Sequence, residues 1–274
     1  MRAIKAILMR NLTNFTRDRT RLFFTIFMAV FFLFIFSFVM KSAAIGVANP
    51  MNYLISGIII MSVFQTALNN SMNIIEDISS GFMREILVAP ISRWQISIGQ
   101  VLSSSVIAVL QGLIIVIVGL FMGLQADPLH FIEMIGLMIL VGVAFSSIGL
   151  FLATLAKSSA TFQVFVTVIA MPLTFLSGAY IPTTIMPKFL LPLVYLNPLT
   201  YTTAIFRYIS LRMEDLSAAQ LIKAGVAFDI HGFTVMPYFS LIMIVLIGAL
   251  FLFLCVSRFN KADFSTVKVF RPHH

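Results

Sequence analysis

Long apolar stretches without charged side chains alternate along the chain with short polar segments. A helix needs roughly 20 apolar residues to cross the hydrocarbon core of a bilayer. The charge-free intervals that are long enough lie between Arg21 and Lys41, Lys41 and Glu76, Arg93 and Asp127, Glu133 and Lys157, and Asp229 and Arg258. We therefore expect an all-α integral membrane protein whose six transmembrane helices occupy residues 22–40, 52–73, 94–122, 131–155, 161–178 and 237–256.

Residues 1–21, before the first span, have the periodicity of an amphipathic helix. One face carries Ile4, Ile7, Leu8, Leu12 and Phe15. The other face carries Arg2, Arg10, Asn14, Arg17 and Arg21. This pattern favours an interfacial helix whose basic side chains reach lipid phosphates. A solvated basic leader is the alternative.

Residues 179–236, between the fifth and sixth spans, have apolar pieces too short to cross a membrane. They are interrupted by Pro182, Pro187, Pro192 and Pro198. Proline-broken apolar pieces are typical of re-entrant segments. We expect an extracellular re-entrant hairpin, followed by a more polar piece from Arg207 to His231 outside the bilayer. A plain, irregular extracellular loop is the alternative.

The composition agrees with a membrane protein, since 60% of residues are hydrophobic and 10% are charged, against roughly a quarter charged in soluble domains. Cys255 is the one cysteine, so the chain cannot form an internal disulfide. With the N-terminus in the cytoplasm, 13 of the 18 Lys and Arg residues fall inside. The positive-inside rule thus predicts that both termini are cytoplasmic and that the number of spans is even.

Several kinds of chemistry have no counterpart in the sequence. There is no G-x-x-x-x-G-K-[ST] motif for ATP, and no H-E-x-x-H or G-x-S-x-G motif for hydrolysis. The spans have no mid-membrane ionisable residue, which argues against an ion-coupled carrier or channel. The four histidines have no metal-binding spacing, and no nucleic-acid-binding module is visible. We expect no catalytic residue, metal or bound cofactor, so energy for active transport must come from a partner.

Residues 74–90 form a charged connector that we expect to be a short cytoplasmic helix ending before Pro90. An exposed apolar patch flanked by opposite charges indicates docking to another protein. The residues concerned are Glu76, Asp77, Gly81, Phe82, Arg84, Glu85, Ile86, Leu87 and Pro90, followed by Arg93. A helix lying on lipid is the alternative.

A second distinctive segment begins at the end of the fifth span. Gly178 and Pro182 break that span, and later prolines shape the hairpin. Arg207 is expected to reach lipid headgroups or a nearby carbonyl. The residues of interest here are Ser177, Gly178, Tyr180, Pro182, Pro187, Asn197, Pro198, Tyr201 and Arg207.

The order of these two segments resembles the ABC-2 type permease family, the membrane subunits of bacterial exporters. The cytoplasmic pattern matches at Glu76, Gly81, Arg84, Glu85, Pro90, Ser92 and Arg93. The later pattern matches at Leu176, Ser177, Gly178, Pro182, Met186, Pro187, Asn197, Pro198, Leu199, Thr200, Tyr201 and Arg207. The family more often has Glu-Arg-Glu-x-Gly where this chain has Glu76-Asp77-Ile78-Ser79-Ser80-Gly81. The sequence therefore does not identify which ATPase residues would form salt bridges with this segment.

The resemblance implies a homodimer in the bacterial cell membrane. Each copy would dock one separate cytoplasmic ATPase, which carries the ATP and Mg²⁺, through a coupling helix at 74–90. The hairpin would form the outer gate, and the second and fifth spans would line the substrate path, with Phe64, Asn69, Phe165 and Phe175 as candidates.

The expected substrate is an amphipathic or lipid-like molecule such as a drug, an antibiotic or a lipid-linked molecule. The alternatives are export of a polysaccharide or other polymer, and a non-transporting structural or immunity protein of the same fold.

Overall fold

The computed structural model describes residues 2–42, 50–88, 91–124, 127–156, 158–230 and 232–261, and these are overwhelmingly helical. The helices of the first half are α1 (Arg2–Arg17), α2 (Arg19–Ser42), α3 (Pro50–Asn69), α4 (Met72–Ser79), α5 (Phe82–Val88) and α6 (Arg93–Phe121). The second half contains α7 (Pro128–Leu155), α8 (Ser159–Leu176), α9 (Leu191–Leu196), α10 (Pro198–Ser210), α11 (Ala218–Lys223) and α12 (Pro237–Lys261).

Five helical segments of the described chain are long and apolar enough to cross a membrane. They are Met51–Ser79, Arg93–Phe121, Pro128–Leu155, Ser159–Leu176 and Pro237–Phe259. A sixth candidate is Lys188–Leu196 with Pro198–Ser210, a pair bent by 85°. In α2, the apolar stretch among the described side chains is Leu22–Ile35. The expectation of an all-α membrane protein is confirmed, and the span expected at 22–40 falls on α2, part of whose side chains lie outside the described residues.

The bundle is organised around α3, which contacts α2, α6, α7, α8 and α10. Next to it, α6 packs on α7, and α7 packs on α12. Small residues allow these helices to approach closely. An added Cβ at Gly112 would lie 2.6 Å from Val63, and one at Gly57 would collide with the carbonyl oxygen of Ala179. The first approach joins α6 to α3, and the second brings the segment after α8 against α3.

Helices α8 and α12 each leave an apolar face uncovered by the described part of the chain. On α8, four exposed side chains recur at helical spacing, namely Val164, Val168, Met171 and Phe175. On α12, an exposed face includes Leu246, Leu250 and Phe253. Both faces would have to be covered by lipid or by another protein, because an apolar helix surface of this extent is unfavourable in water.

One expectation about the connectors is wrong. Residues 74–90 do not form one helix, because α4 ends at Ser79 and α5 begins at Phe82. A turn at Asn70 and Ser71 separates α3 from α4, and the two helices together make up the apolar segment Met51–Ser79.

The region after α8 contains elements that the sequence did not predict. It has two short 3₁₀ turns, Thr183–Ile185 and Lys188–Leu190, and a small hairpin of β1 (Phe228–Ile230) and β2 (Phe233–Val235). The hairpin is antiparallel, with Asp229 opposite Thr234. Helix α10 packs on α3, α7, α8 and α12, and Arg207, the first residue of the expected polar piece, is buried within the bundle.

Candidate functional site

Helices α4 and α5 form a projecting corner after α3. On α4, Ile74 and Ile75 are buried while Glu76 is exposed, so the helix lies with one face on the bundle. Gly81 then adopts a φ of +84°, a conformation that glycine reaches at no steric cost. An added Cβ would meet no neighbouring atom there, so glycine is needed for the turn rather than for space.

Helix α5 buries Met83 and partly buries Ile86, and it exposes Phe82 and Glu85. Val88, at its end, is 87% exposed. Three other predicted docking positions, the side chains of Arg84 and Leu87 and the whole of Pro90, lie outside the described residues. Arg93 opens α6. The exposed Phe82, Glu85 and Val88 therefore form an apolar and acidic edge available to another protein.

Helix α1 is attached to this corner by Arg10. Its Nη2 donates to Oδ2 of Asp77 at 2.6 Å, and its guanidinium lies 4.8 Å from the centre of the Phe82 ring. The sequence suggested that Arg10 reaches lipid phosphates, and the structure corrects this, because a carboxylate within the same chain neutralises it. We call the assembly of α1, α4 and α5 the platform.

A buried polar network anchors the platform to α6. The amide of Asn11 donates to Oε1 of Gln100 and to Oγ of Ser103, both at 2.8 Å. Its Oδ1 accepts two hydrogen bonds from Arg10, at 2.9 and 3.2 Å. Sequence reasoning missed Asn11, Gln100 and Ser103. The available signal was a pair of polar side chains in the apolar span 94–122, which must find partners when buried.

Arg207, from the second distinctive segment, is the largest fully buried side chain of the described residues, with 1% of its surface exposed. Its Nη2 donates to the carbonyls of Gly178 and Ala179 at 3.1 and 3.4 Å. Its guanidinium lies 3.4 Å from the centre of the Tyr53 ring, whose hydroxyl donates to the same Gly178 carbonyl at 3.0 Å. We call these four residues the arginine knot.

The knot joins three elements distant in sequence. Gly178 has a φ of +80°, so its carbonyl is presented by a left-handed turn after α8. Tyr53 comes from α3 and Arg207 from α10. Of the two partners proposed for Arg207, lipid headgroups or a carbonyl, the structure has the carbonyl.

Helix α10 is also fastened to the end of α8. The Asn197 side chain caps α10 by accepting from the Leu199 amide at 2.9 Å and donates to the Leu173 carbonyl at 2.8 Å. The Thr200 hydroxyl donates to the Leu176 carbonyl at 3.3 Å. These carbonyls lie at the end of α8, where no further turn of helix supplies N–H groups to donate to them.

The remaining predicted hairpin residues surround this junction. Ser177 caps α8 and accepts from the Ala179 amide, while Pro182 and Pro187 precede the two 3₁₀ turns. Pro198 opens α10, where its missing amide hydrogen is not needed. Tyr201 donates to the Tyr195 carbonyl at 2.6 Å, and Tyr180 stacks on Phe32 of α2 with ring centres 5.8 Å apart.

The four predicted path residues do not share one surface. Phe64 is fully buried and packs edge-to-face on Phe145, with ring centres 4.7 Å apart. Asn69 is partly buried and donates to Gln65 of its own helix. Phe165 is partly buried and Phe175 is 52% exposed on α8. Among the four, Phe175 is the one that faces outward.

No group of three or more His, Cys, Asp or Glu side chains in the described ranges is placed to hold a metal ion. The structure is a helical membrane bundle with a charged platform and with a buried arginine at the junction after α8.

Comparison with known proteins decides the family, because the family model described as "ABC-2 type transporter" matches residues 2–211. The chain belongs to the ABC-2 type transporter family. It is therefore a multi-pass membrane protein and the transmembrane permease subunit of an ABC transporter, associated with an ABC ATPase rather than being that ATPase itself.

Individual relatives agree with this assignment. The chain is 28% identical over 200 residues to the transport permease ycf38 of Cyanophora paradoxa, covering 72% of this chain and 67% of that protein. It is 29% identical over 170 residues to the inner membrane transport permease YadH of Escherichia coli, covering 61% of this chain and 65% of the relative. A probable multidrug ABC transporter permease of the same bacterium, YbhR, is 27% identical over 53% of this chain and 40% of its own length.

Proposed function

We propose that this chain exports an amphipathic or lipid-like molecule, such as a drug, an antibiotic or a lipid-linked compound, out of the cell. The observation that supports this most directly is the platform. Its exposed edge is apolar and acidic, and a buried polar network holds it against the spans. A permease needs such an edge, because it binds no ATP itself and must receive mechanical work from an ATPase.

The ATPase would dock on α4 and α5, with Phe82 and Glu85 entering a cleft on its surface. The ion pair between Arg10 and Asp77 would transmit a displacement of α4 to α1. The hydrogen bond between Asn11 and Gln100 would transmit it further to α6. Two arrangements of these helices, biased by nucleotide on the partner, are what coupling physically requires.

A homodimer would place two platforms beside two ATPase copies. The uncovered stripe of α8 supports a second copy as its partner, because the four exposed side chains form one continuous apolar face. The arginine knot lies where the outer gate is expected, and its fixed geometry would hold the loop after α8 in position while α8 moves.

The apolar and aromatic character of α2, α3 and α8 favours an amphipathic substrate over a strongly anionic polymer. No acidic or basic residue occurs between Arg21 and Lys41, or between Lys41 and Glu76. Polar contacts to such a substrate would then come from hydroxyl and amide side chains such as Asn69.

Coupling can be tested with Glu85→Ala and Phe82→Ala in the complex of the chain with its ATPase, reconstituted in liposomes. Both substitutions fall on exposed side chains, so the bundle stays folded while substrate-stimulated ATP hydrolysis and transport fall by about tenfold. Asp215→Ala, which removes an exposed carboxylate on a different segment, is the matched control. Full transport by a Phe82→Ala and Glu85→Ala double variant would refute docking at this edge.

Direction and orientation need a separate experiment. We expect a membrane-impermeant amine reagent to label Lys223 from outside intact cells and to leave Lys157 unlabelled. In inverted vesicles, ATP should drive accumulation of a fluorescent amphiphile. Labelling of Lys157 alone, or loss of the amphiphile from inverted vesicles, would reverse the proposed orientation or direction.

A further inference from the structure

A cavity of about 500 Å³ lies between α7, α10 and α12, apart from the platform and the arginine knot. This volume is within the range of small-molecule sites. One end is polar, with His130, Glu133 and Glu214. The deeper walls are apolar and come from Leu137, Leu140, Ile205, Ile209 and Leu241. The cavity is therefore amphipathic along its length.

The polar end is built from a connected set of charges. His130 contacts Oδ1 of Asp127 through Nδ1 at 2.7 Å and Oε1 of Glu214 through Nε2 at 3.1 Å. Arg212 donates to the same Asp127 oxygen at 2.5 Å. These contacts fix the loop before α7 against the turn after α10 and so define the cavity mouth.

The charges at this mouth are predominantly negative. Partial burial alone would raise the pKa of Asp127, but the hydrogen bond with His130 and the charge of Arg212 outweigh it and lower that pKa. Asp127 is thus ionised at neutral pH. Glu133 has neither an ion pair nor a hydrogen bond within the described ranges. Among the groups that line the cavity, the carboxylates of Glu133 and Glu214 face one histidine, which disfavours an anion and favours a cation.

Two aromatic rings add to this preference. Tyr208 and Tyr238 line the cavity and meet edge-to-face, with ring centres 6.0 Å apart. The face of a tyrosine ring attracts an ammonium group by its quadrupole. Carboxylates combined with tyrosine faces are a suitable environment for a quaternary ammonium, which has no N–H group to donate a hydrogen bond.

The wall that α7 contributes to the cavity, polar end included, has the length of an ammonium head group joined to a short alkyl chain. From His130 to Leu140, α7 advances by about 15 Å at 1.5 Å per residue. Gly136 lies on this wall, and an added Cβ there would meet no atom within 4 Å. The space beside Gly136 is therefore open to a ligand rather than filled by a neighbouring helix.

We propose that this cavity binds a single-chain cationic amphiphile, with its ammonium group between Glu133, Glu214 and the two tyrosines and its alkyl chain along α7. A zwitterionic lipid fits less well, since its phosphate would lie beside the carboxylates of Glu133 and Glu214 while Arg212 is already paired with Asp127. This binding site is independent of the proposed direction of transport and of ATPase docking.

The test uses the purified full chain in phosphatidylcholine nanodiscs and a decyltrimethylammonium probe with a diazirine near the end of its alkyl chain. After irradiation, mass spectrometry maps the labelled peptides. We expect saturable labelling of α7 near Leu140 and of α12 near Leu241. Unlabelled decyltrimethylammonium should compete, while decylphosphocholine and decyl sulfate at the same concentration should not.

Two sets of variants sharpen the assignment. Gly136→Phe fills the cavity and should lower labelling by about tenfold, whereas Gly136→Ala should keep it. Glu133→Gln with Glu214→Gln should weaken probe binding by about fivefold without occluding the apolar wall. Asp229→Asn, which removes a charge outside the cavity lining and keeps a hydrogen-bond acceptor, should have no effect. A thermal unfolding scan identifies any variant that has not folded.

Each outcome bears on the proposal. Competition by decylphosphocholine as strong as by the cation would make this a lipid site and overturn the cation assignment. Equal competition by decyl sulfate would reduce it to an unselective apolar groove. Labelling that survives in folded Gly136→Phe, or an unchanged affinity in the double glutamine variant, would refute the site itself.

Discussion

Arg10 and Arg207 each lie over an aromatic ring, in opposite environments. Arg10, on the platform, is 27% exposed and pairs with the carboxylate of Asp77. Arg207, in the knot, is 1% exposed and donates only to carbonyls, among the described residues. The first contact can separate into water at little cost, while the second cannot separate without leaving a buried charge or an empty space.

This difference indicates which parts of the molecule move. A partly exposed ion pair contributes at most about 1 kcal/mol, so nucleotide-driven displacement of the platform can break and re-form it. Disrupting a buried, hydrogen-bonded charge costs several times more. We therefore expect the knot to persist through the transport cycle and the platform contacts to change.

The largest effect is expected from Arg207→Ala. It removes the largest fully buried side chain and leaves the Ala179 carbonyl without its arginine donor, so the free energy of unfolding should fall by about 4 kcal/mol. Thermal unfolding in detergent measures this. Arg212→Ala, a partly exposed arginine five residues later, is the control and should cost less than about 1 kcal/mol. Equal losses of stability in Arg207→Ala and Arg212→Ala would contradict the difference that we infer between buried and exposed arginines.

The backbone approach that supports the knot is tested by Gly57→Ala. The new Cβ would collide with the carbonyl of Ala179, itself an acceptor of Arg207, and we expect a loss of about 2 kcal/mol in stability. Gly136→Ala is the matched control, because its Cβ enters open space and alanine favours a helix. If neither alanine substitution lowers the free energy of unfolding in the same measurement, α3 does not hold the segment after α8 as closely as described.

A smaller effect is expected from Asn197→Ala. This change removes the cap of α10 and the donor to Leu173, with an expected loss of about 1 to 2 kcal/mol. Asn14→Ala, at an exposed position on α1, should leave the free energy of unfolding unchanged. An equally unchanged stability in Asn197→Ala would mean that α10 is positioned by apolar packing and by the knot alone.

The smallest effect on stability is expected for the platform ion pair. A double-mutant cycle with Arg10→Ala and Asp77→Ala should give a coupling energy of about 1 kcal/mol or less. The same variants should nevertheless lower substrate-stimulated ATPase activity in the reconstituted complex. A coupling energy as large as the effect of Arg207→Ala would show that the platform is as rigid as the knot.

Local sequence patterns were sufficient for much of this architecture. Charge-free intervals located the long helices, because crossing a membrane imposes a length on each of them. The exposed edge at Phe82 and Glu85 was also visible locally, since an apolar residue among charges has no reason to be there in a simple connector.

The missed features depend on contacts between distant residues. The bond from Asn11 to Gln100 joins positions 89 residues apart, and no local period encodes it. For Arg207 the sequence predicts a contact with lipid headgroups or a carbonyl but not full burial, since arginine normally avoids apolar surroundings. Its burial becomes favourable only once Tyr53 and the turn at Gly178 are brought to it by the fold.

Docking of the ATPase on the platform is tested most directly by photo-crosslinking from defined positions. A benzoylphenylalanine at position 82 or 85 should form an adduct with the co-purified ATPase, identified by its peptides, and one at position 214 should not. Both sets of positions are exposed, so accessibility is matched. Adducts from position 214, or a stable complex without adducts from 82 and 85, would contradict docking on α5.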